Sequence, residues 1–298
     1  MFLRIPCGLI FANAIFRRLW TNTPPVTAVS AKFNKGVSML KQRVLSALLL
    51  LPLPVLALYY GTPWFELLCA AALTAMGAEW ENLVLKRFTV SGMLIAVTGV
   101  ACVFMLDDAP EIAWTLPAVM TVALYAVVKK QNTEHQKLFA FGMAYSVYPM
   151  VSLAYMLSNF GFVCTLWLIG TVWAMDTGAY VFGKTIGGPK MCPKISPKKT
   201  WAGLFGGMLT SALWGLACAK CDGLTDFGFV MGVSAVLGAA SQGGDLFESW
   251  IKRYLGVKDS GNLIPGHGGI FDRTDALLAV APIVVLILAL FPTLDFWG

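Results

Sequence analysis

Charged residues are scarce in this sequence. Asp, Glu, Lys and Arg make up 13% of its 298 residues, whereas soluble globular proteins average about 25%. Because 57% of the residues are apolar, the chain has too little polar surface for water-soluble domains, and intrinsic disorder is excluded as well. The seven cysteines are spread over the whole length, which argues against a small disulfide-stapled secreted fold. A membrane protein built of helices is the class that remains.

Long apolar segments fill most of the chain. A helix needs about 20 mostly apolar residues to span a bilayer. Nine segments approach this length, at approximately 44–60, 64–84, 88–106, 112–128, 138–158, 161–182, 203–220, 224–243 and 277–297. Their apolar residues are continuous rather than alternating, which favours helices over the strands of an outer-membrane barrel. The sequence therefore predicts an all-α, polytopic membrane protein with about nine transmembrane helices.

The distribution of Lys and Arg predicts the orientation of these segments. If the N-terminus is cytoplasmic, 21 of the 22 basic residues lie on the cytoplasmic side and only Lys220 lies outside, as the positive-inside rule expects. The net charge of +6 then reflects loops close to anionic lipid headgroups. The sequence contains no nucleic-acid-binding motif, so the expected partner is the lipid bilayer and not a nucleic acid.

Residues 1–38 form a basic N-terminal extension with five bases and no acid. One interpretation is an amphipathic leader for mitochondrial import, which would place the protein in the mitochondrial inner membrane. The interpretation we favour is an upstream start ahead of Met39, because Lys41 and Arg43 directly precede the first span. Residues 39–298 are then the functional domain of a bacterial inner-membrane protein, with a dispensable extension and an active site that faces the cytoplasm.

Polar residues are concentrated between residues 243 and 275, where five acids and four bases occur. On a helix, one face would carry four of them, because their spacing is three or four positions: Asp245, Glu248, Ser249 and Lys252. Asp272 and Asp275 are again three apart, at the mouth of the last span. Two such helix ends with bases between them suit Mg²⁺ and a polyphosphate, since Mg²⁺ takes one or two carboxylates together with phosphate oxygens.

A glycine-rich loop lies between these two groups. Residues 265–269 read Pro-Gly-His-Gly-Gly, and three glycines in five residues let backbone N–H groups come close to an anion. The alternative is a re-entrant turn between helices. The flanking pairs Lys258–Asp259 and Asp272–Arg273 favour a phosphate-binding site.

A second polar cluster lies between residues 176 and 203. Asp176 falls inside a predicted span, where an unpaired charge costs at least about 2.5–3.5 kcal/mol, so we expect it to face the protein interior and to contact a cation or backbone. The loop that follows contains Ser196, Lys198, Lys199 and Thr200. We interpret these as phosphate contacts; the alternative is a loop that is basic only because of the positive-inside rule.

Two further acids lie near the end of the second predicted span. Glu79 and Glu81 flank Trp80 and could reach the site from there. Acids are costly at membrane depth, so an interfacial position is the favoured interpretation.

The residues from Ser249 to Asp275 follow the pattern S-x-I-K-R-x4-K-D-x-G-x2-I-P-x-H-G-G-I-x-D-R-T-D. This pattern resembles the signature of the phosphatidate cytidylyltransferases over all 27 of its positions. The resemblance extends to A-x-D-T-G-A-Y at 174–180 and to I-S-P-K-K-T-W at 195–201, and covers roughly residues 39–298. One departure is Ala202, where the family commonly has Glu, so that position supplies no metal ligand or base here.

The resemblance implies that CTP and phosphatidic acid react to give CDP-diacylglycerol and pyrophosphate, with Mg²⁺ required. It also implies that Asp245 and Asp272 hold the catalytic metals, either two divalent ions or Mg²⁺ with K⁺, and that the protein is a homodimer. The phosphate of phosphatidic acid is already anionic, so catalysis should need positioning and charge neutralisation rather than a strong general base.

Three sets of site residues follow from the clusters and the resemblance. The predicted catalytic residues are Asp245, Lys252, Arg253, Lys258, Asp259, His267, Asp272 and Arg273. The predicted substrate-binding residues are Asp176, Ser196, Lys198, Lys199, Thr200, Ser249, Gly268 and Gly269. The predicted metal ligands are Asp245, Asp272 and Asp275.

Two other functions remain open. A CTP-dependent lipid kinase, acting for example on a polyprenol, would transfer the terminal phosphoryl group and release CDP instead of pyrophosphate. An ion-coupled transporter would use Asp176 for coupling and would move its substrate without consuming nucleotide, but it would leave the glycine-rich loop unexplained.

Overall fold

The computed structural model describes residues 52–86, 90–131, 134–261, 263 and 268–290. The extension 1–38, Met39, His267, the first part of the span predicted at 44–60 and the end of the last predicted span lie outside the described residues. Within the described ranges the chain forms eight helices and one β-hairpin. The elements are α1 Pro52–Tyr60, α2 Trp64–Leu85, α3 Val90–Phe104, α4 Pro110–Lys130, α5 Gln136–Thr185, β1 Lys190–Cys192, β2 Ser196–Thr200, α6 Trp201–Cys221, α7 Phe227–Tyr254 and α8 Phe271–Leu290.

The helices coincide with the predicted apolar segments. Each of the nine segments overlaps a helix, because those at 138–158 and 161–182 both fall in α5. Among the helices of the described ranges, the five from α4 to α8 are long and apolar enough to cross a membrane, and α3 is a shorter apolar helix. The chain is therefore predominantly helical and suited to a membrane, as the sequence predicted.

Helix α5 is 50 residues long and is interrupted once. Gly161 has φ +77° and ψ −171°, a conformation that glycine adopts because it has no side chain. The interruption divides α5 into halves of about 24 residues, each long enough to span a bilayer. The boundary predicted between the spans at 138–158 and 161–182 is confirmed at this glycine.

Two predicted boundaries are wrong, and both concern polar helix ends. α7 continues to Tyr254 although the predicted segment ended at 243, and α8 begins at Phe271 rather than at 277. Hydropathy detects only the apolar part of a helix, so polar turns with the same backbone hydrogen bonding are missed. The predicted helical spacing from Asp245 to Lys252 is confirmed, because these residues all lie in α7.

The segment between α5 and α6 is a hairpin, which corrects the all-α prediction there. β1 and β2 pair as antiparallel strands. The hairpin leads directly into α6: the Thr200 hydroxyl accepts the N–H of Gly203 at 3.1 Å as the N-cap, and the N–H of Trp201 donates to the carbonyl of Pro189 at 3.1 Å. These bonds hold the end of β2 against the start of α6.

Helix α5 packs against every other described helix and forms the centre of the bundle. Glycines allow large rings to approach closely: Gly142 faces the indole of Trp80 and Gly170 that of Trp214, and in both places an added Cβ would overlap the ring. Trp80 is fully buried and donates its indole N–H to the carbonyl of Phe139 at 3.0 Å. Such contacts suit a membrane protein, whose helices gain little from apolar burial alone.

Candidate active site

The two polar clusters predicted from the sequence meet in one place. The ammonium group of Lys199, at the end of β2, lies 2.6 Å from Oδ2 of Asp245 on α7. It also donates to the backbone carbonyl of Gln242 at 3.3 Å. Asp176, on α5, lies within electrostatic range of both Lys199 and Asp245. Three separate elements therefore contribute charge to one site.

Asp245 is held at both carboxylate oxygens. While Oδ2 faces Lys199, Oδ1 accepts the hydroxyl of Ser249 at 3.2 Å. Ser249 is available because residues four apart lie on the same face of a helix. The structure thus shows Ser249, a predicted substrate-binding residue, in contact with Asp245.

Lys252 joins α7 to α8. Its side chain is buried, and its ammonium group lies 2.7 Å from Glu248 Oε2 and 2.7 Å from Asp272 Oδ1. A charge with so little exposure has to be paired, and both partners here are carboxylates of the protein. This geometry favours a positioning role for Lys252 over direct contact with a substrate phosphate.

Asp272 lies in the first turn of α8 and also uses both oxygens. Oδ2 accepts three hydrogen bonds of 2.9 Å, from the N–H and hydroxyl of Ser260 and from the N–H of Gly269. Oδ1 accepts from Lys252. These donors fix the carboxylate in one orientation and hold Ser260 and Gly269 against the start of α8.

Glu248 and Asp275 add two carboxylates to the interior of the site. Asp275 interacts electrostatically with Asp245 and Glu248, and the buried Tyr145 lies within electrostatic range of all three. Glu248 Oε1 and the Tyr145 hydroxyl are buried without a hydrogen-bond partner in the part of the chain that the structure describes.

Acids outnumber bases in this group. The acids are Asp176, Asp245, Glu248, Asp272 and Asp275, and the bases that face them are Lys199, Lys252 and Arg273. No three acidic, His or Cys side chains among the described residues form a ready-made metal site. The carboxylates that could share a cation are Asp245 and Asp275, which repel each other when both are charged.

Most of the remaining described residues of the predicted site lie at the protein surface. Arg273 is exposed and lies within electrostatic range of Asp176. The side chain of Asp176 is accessible beside this group of acids and bases, and it has the cationic neighbour that the sequence predicted, Lys199. Arg253 donates from Nη1 to the carbonyl of Val257 at 3.0 Å. The other exposed or half-buried predicted side chains are those of Ser196, Lys198, Lys258 and Asp259.

Gly268 and Gly269 lie at the described end of the glycine-rich loop. Gly268 has φ +87°, and a Cβ there would come within 2.6 Å of Asp272 Oδ2. Gly269 is buried, and its N–H is directed at Asp272. These glycines let the loop pass close to a carboxylate of the protein, a role that differs from the predicted contact with substrate.

Glu79 lies in this region, a position that the sequence offered only as the less favoured alternative. Glu79 and Glu81 are 7% and 2% exposed, so both side chains are buried within the protein. Glu79 Oε1 accepts the N–H of Ile270 at 2.9 Å, and Oε2 accepts that of Phe271 at 3.1 Å. An acid inside a predicted span was the one available signal. Tyr145 and Ser260 had no predicted role, whereas Glu248 was predicted only as part of the polar face of α7.

The chain is similar to known proteins along nearly its whole length. Residues 41–291 match the model of the cytidylyltransferase family. The phosphatidate cytidylyltransferase of Brucella suis is 33% identical over 266 residues, which cover 87% of this chain and 97% of the relative. Those of Haemophilus influenzae and Staphylococcus epidermidis are also 33% identical, over 283 residues (82% of this chain, 96% of the relative) and 261 residues (84% and 99%).

These matches confirm the resemblance that the 249–275 pattern indicated. Every described residue of the site lies within the matched segment. The chain belongs to the cytidylyltransferase family and is an enzyme of the nucleotidyltransferase class.

Proposed function

We propose that the protein transfers the cytidylyl group of CTP to phosphatidic acid, which gives CDP-diacylglycerol and pyrophosphate. Relatives named phosphatidate cytidylyltransferase support this proposal, because they match most of the chain. The observation that carries it is the ion pair between Lys199 and Asp245. It places the basic hairpin beside a group of carboxylates, which is the combination that a metal-bound triphosphate needs.

The proposed reaction requires little acid–base chemistry. A phosphate oxygen of phosphatidic acid attacks the α-phosphorus of CTP, and the bond to the β-phosphate oxygen breaks, so pyrophosphate leaves. The attacking oxygen is already anionic, so no side chain has to remove a proton. The protein then has to orient the two phosphates and neutralise the charge on the leaving group.

The chain's own cations fit this task. Lys199 is half-buried beside Asp245, and Lys198 and Arg273 are exposed at the border of the site. Charge-assisted bonds from such groups are stronger than neutral ones. Lys198, Lys199 and Arg273 would bind phosphate oxygens, while Lys252 and Ser249 hold Asp272 and Asp245 in place.

Mg²⁺ fits the donor set at Asp245 and Asp275. The excess of carboxylates supports this assignment, because Asp275 lies near both Asp245 and Glu248. A complete protein cage is not needed, because Mg²⁺ usually keeps waters and shares substrate phosphates. When bound, it supplies positive charge against the triphosphate. Asp272 would have to release Lys252 or Ser260 to bind a second divalent ion or K⁺.

We further propose that the site faces the cytoplasm of a bacterial cell, with nine spans and with residues 39–298 as the functional domain. The basic residues near the site support this orientation. Labelling of a cysteine introduced at Lys194 from either side of sealed vesicles tests it, and labelling from the periplasmic side alone would contradict it. The homodimer is supported by the family resemblance; a monomeric mass in detergent would contradict it.

Purified protein with CTP and phosphatidic acid tests the reaction. CTP labelled at the α-phosphate should label the lipid in the presence of Mg²⁺, and CTP labelled at the γ-phosphate should label only pyrophosphate. Lipid that acquires the γ-label would identify a lipid kinase instead. Solute flux into vesicles without nucleotide consumption would identify a transporter.

A further inference from the structure

Glu79 links α2 to the start of α8. Its buried carboxylate accepts the N–H groups of Ile270 and Phe271, at 2.9 and 3.1 Å. The first N–H groups of a helix have no partner within the helix, and a carboxylate at this end also complements the helix dipole. Glu79 therefore satisfies two donors of α8, although it lies 191 residues before Ile270.

The same backbone orients Asp272. The N–H of Gly269 donates to Asp272 Oδ2 at 2.9 Å, and the next two N–H groups, of Ile270 and Phe271, donate to Glu79. Three successive peptide groups are therefore shared between these two carboxylates. Because the peptide groups are covalently joined, a shift at residues 270 and 271 also moves the donor that orients Asp272.

The carboxylate of Glu79 lies close to two glycines, Gly261 and Gly269. A Cβ on Gly261 would lie 3.0 Å from Oε1, and a Cβ on Gly269 would lie 2.5 Å from Oε2. The Gly269 Cβ would also overlap the hydroxyl of Ser260, which donates to Asp272. A side chain at position 269 would therefore displace the Ser260 hydroxyl or the Glu79 carboxylate, whereas one at position 261 would only crowd that carboxylate.

Trp80, the residue after Glu79, packs α2 against two neighbouring helices. The indole of Trp80 is buried and donates to the carbonyl of Phe139 on α5 at 3.0 Å. Its ring centroid lies 5.3 Å from that of Phe271 on α8. The Glu79 side chain thus extends from a helix that is anchored to the centre of the bundle.

We propose that Glu79 is a positioning residue: it holds the backbone at 269–271 and thereby the orientation of Asp272. Its carboxylate bonds backbone of the protein, so it acts on the reaction through Asp272. The kinetic consequence rests on the proposed function, whereas the effect on the backbone does not.

Glu79→Gln tests the proposal, because it keeps the shape but replaces one acceptor oxygen by an NH₂ donor that faces a backbone N–H. We expect kcat to fall about 10–100-fold, as when a residue that orients a metal ligand is changed, with little change in KM for phosphatidic acid. Hydrogen exchange should become faster in peptides that cover 258–275 and should stay unchanged in α4.

Glu81→Gln is the matched control. Glu81 is equally buried, but its carboxylate lies beside Gly92 of α3, where a Cβ would come within 2.8 Å of Oε2. Glu81→Gln should leave hydrogen exchange at 258–275 and kcat near the wild-type values. Glu79→Asp, which keeps the charge on a shorter side chain, should recover part of kcat and replaces Glu79→Gln if that variant does not fold.

Wild-type exchange at 258–275 in Glu79→Gln would overturn the proposal, whatever the activity. Equal losses of kcat in Glu79→Gln and Glu81→Gln, without a local difference in exchange, would also overturn it, because a general loss of stability would then explain both. If the wild-type protein showed no cytidylyl transfer, only the proposed function would be contradicted. Hydrogen exchange would still report whether Glu79 holds the backbone at 269–271.

Discussion

The ammonium group of Lys252, on α7, lies 2.7 Å from Oδ1 of Asp272, on α8. They are 20 residues apart in sequence, and the glycine-rich loop lies between them. The same ammonium group lies 2.7 Å from Glu248, so one buried cation serves two carboxylates. The pair therefore connects the stability of the helix junction to the geometry of the site.

Replacing Lys252 by Ala should destabilise the folded protein. Removal of one partner from a buried ion pair costs about 3–5 kcal/mol, because the remaining charge is unpaired. The exposed Lys198 is the control, and Lys198→Ala should change stability by less than about 0.5 kcal/mol. Thermal unfolding in one detergent compares the two variants, and equal melting temperatures would contradict the importance of the pair.

Asp245→Asn should abolish most turnover while the protein still inserts and folds. The change removes the charge that pairs with Lys199 and that we propose holds Mg²⁺. Loss of such a group costs several kcal/mol of transition-state stabilisation, or about 100-fold or more in kcat. Asp222→Asn, at an exposed position beyond the far end of α6, is the control. A wild-type turnover rate for Asp245→Asn at saturating Mg²⁺ would contradict a role for Asp245 in the reaction.

Lys199→Ala should lower activity about tenfold or more, since a charge-assisted hydrogen bond contributes about 1.5–3 kcal/mol. Lys129→Ala should leave activity nearly unchanged. Lys129 lies at the end of α4, where its ammonium group faces the ring of Tyr125, 5.9 Å from the centroid, and not the carboxylates of the site. Both variants remove one basic charge, so steady-state rates separate a site effect from a topology effect. Equal losses would show that the charge of Lys199 matters only for orientation in the membrane.

Gly142→Ala should destabilise the bundle by about 1–3 kcal/mol, the usual cost of overpacking. Gly142 is buried against the Trp80 indole, with no room for a Cβ. Gly232 lies in α7 with nothing near its Cβ position, so Gly232→Ala should be neutral or stabilising. Membrane yield and melting temperature are the measurements, and the prediction fails if Gly142→Ala behaves like Gly232→Ala.

The part of the site that depends on local spacing could be predicted. Asp245, Ser249 and Lys252 share a face of α7 because helical periodicity places them there. The interruption of α5 at Gly161 could be predicted as well, because a single span of that length would exceed the bilayer. Hydropathy alone missed the polar ends of α7 and α8, and only the three- and four-residue spacing of their charged side chains indicated that these segments are helical.

Contacts between distant segments could not be predicted from the sequence. The sequence placed Lys199 and Asp245 in two clusters on one side of the membrane, but only the packing of the hairpin beside α7 brings them to 2.6 Å. Glu79 is the stronger case, because its partners are backbone N–H groups. Every residue except proline has such a donor, so no side-chain pattern identifies the pairing.

In the ion pair between Lys199 and Asp245, each side chain occupies the charged group with which the other would bind a ligand. An ammonium group that turns from Asp245 to a phosphate leaves that carboxylate free for another cation, and a cation at Asp245 releases Lys199 in the same way. Binding of nucleotide and of metal should therefore be cooperative, and by thermodynamic linkage each should raise the affinity of the other by the same factor. Calorimetric titration of CTP at low and high Mg²⁺ measures this factor, which should fall toward one in Lys199→Ala; a factor unchanged by the substitution would contradict the coupling.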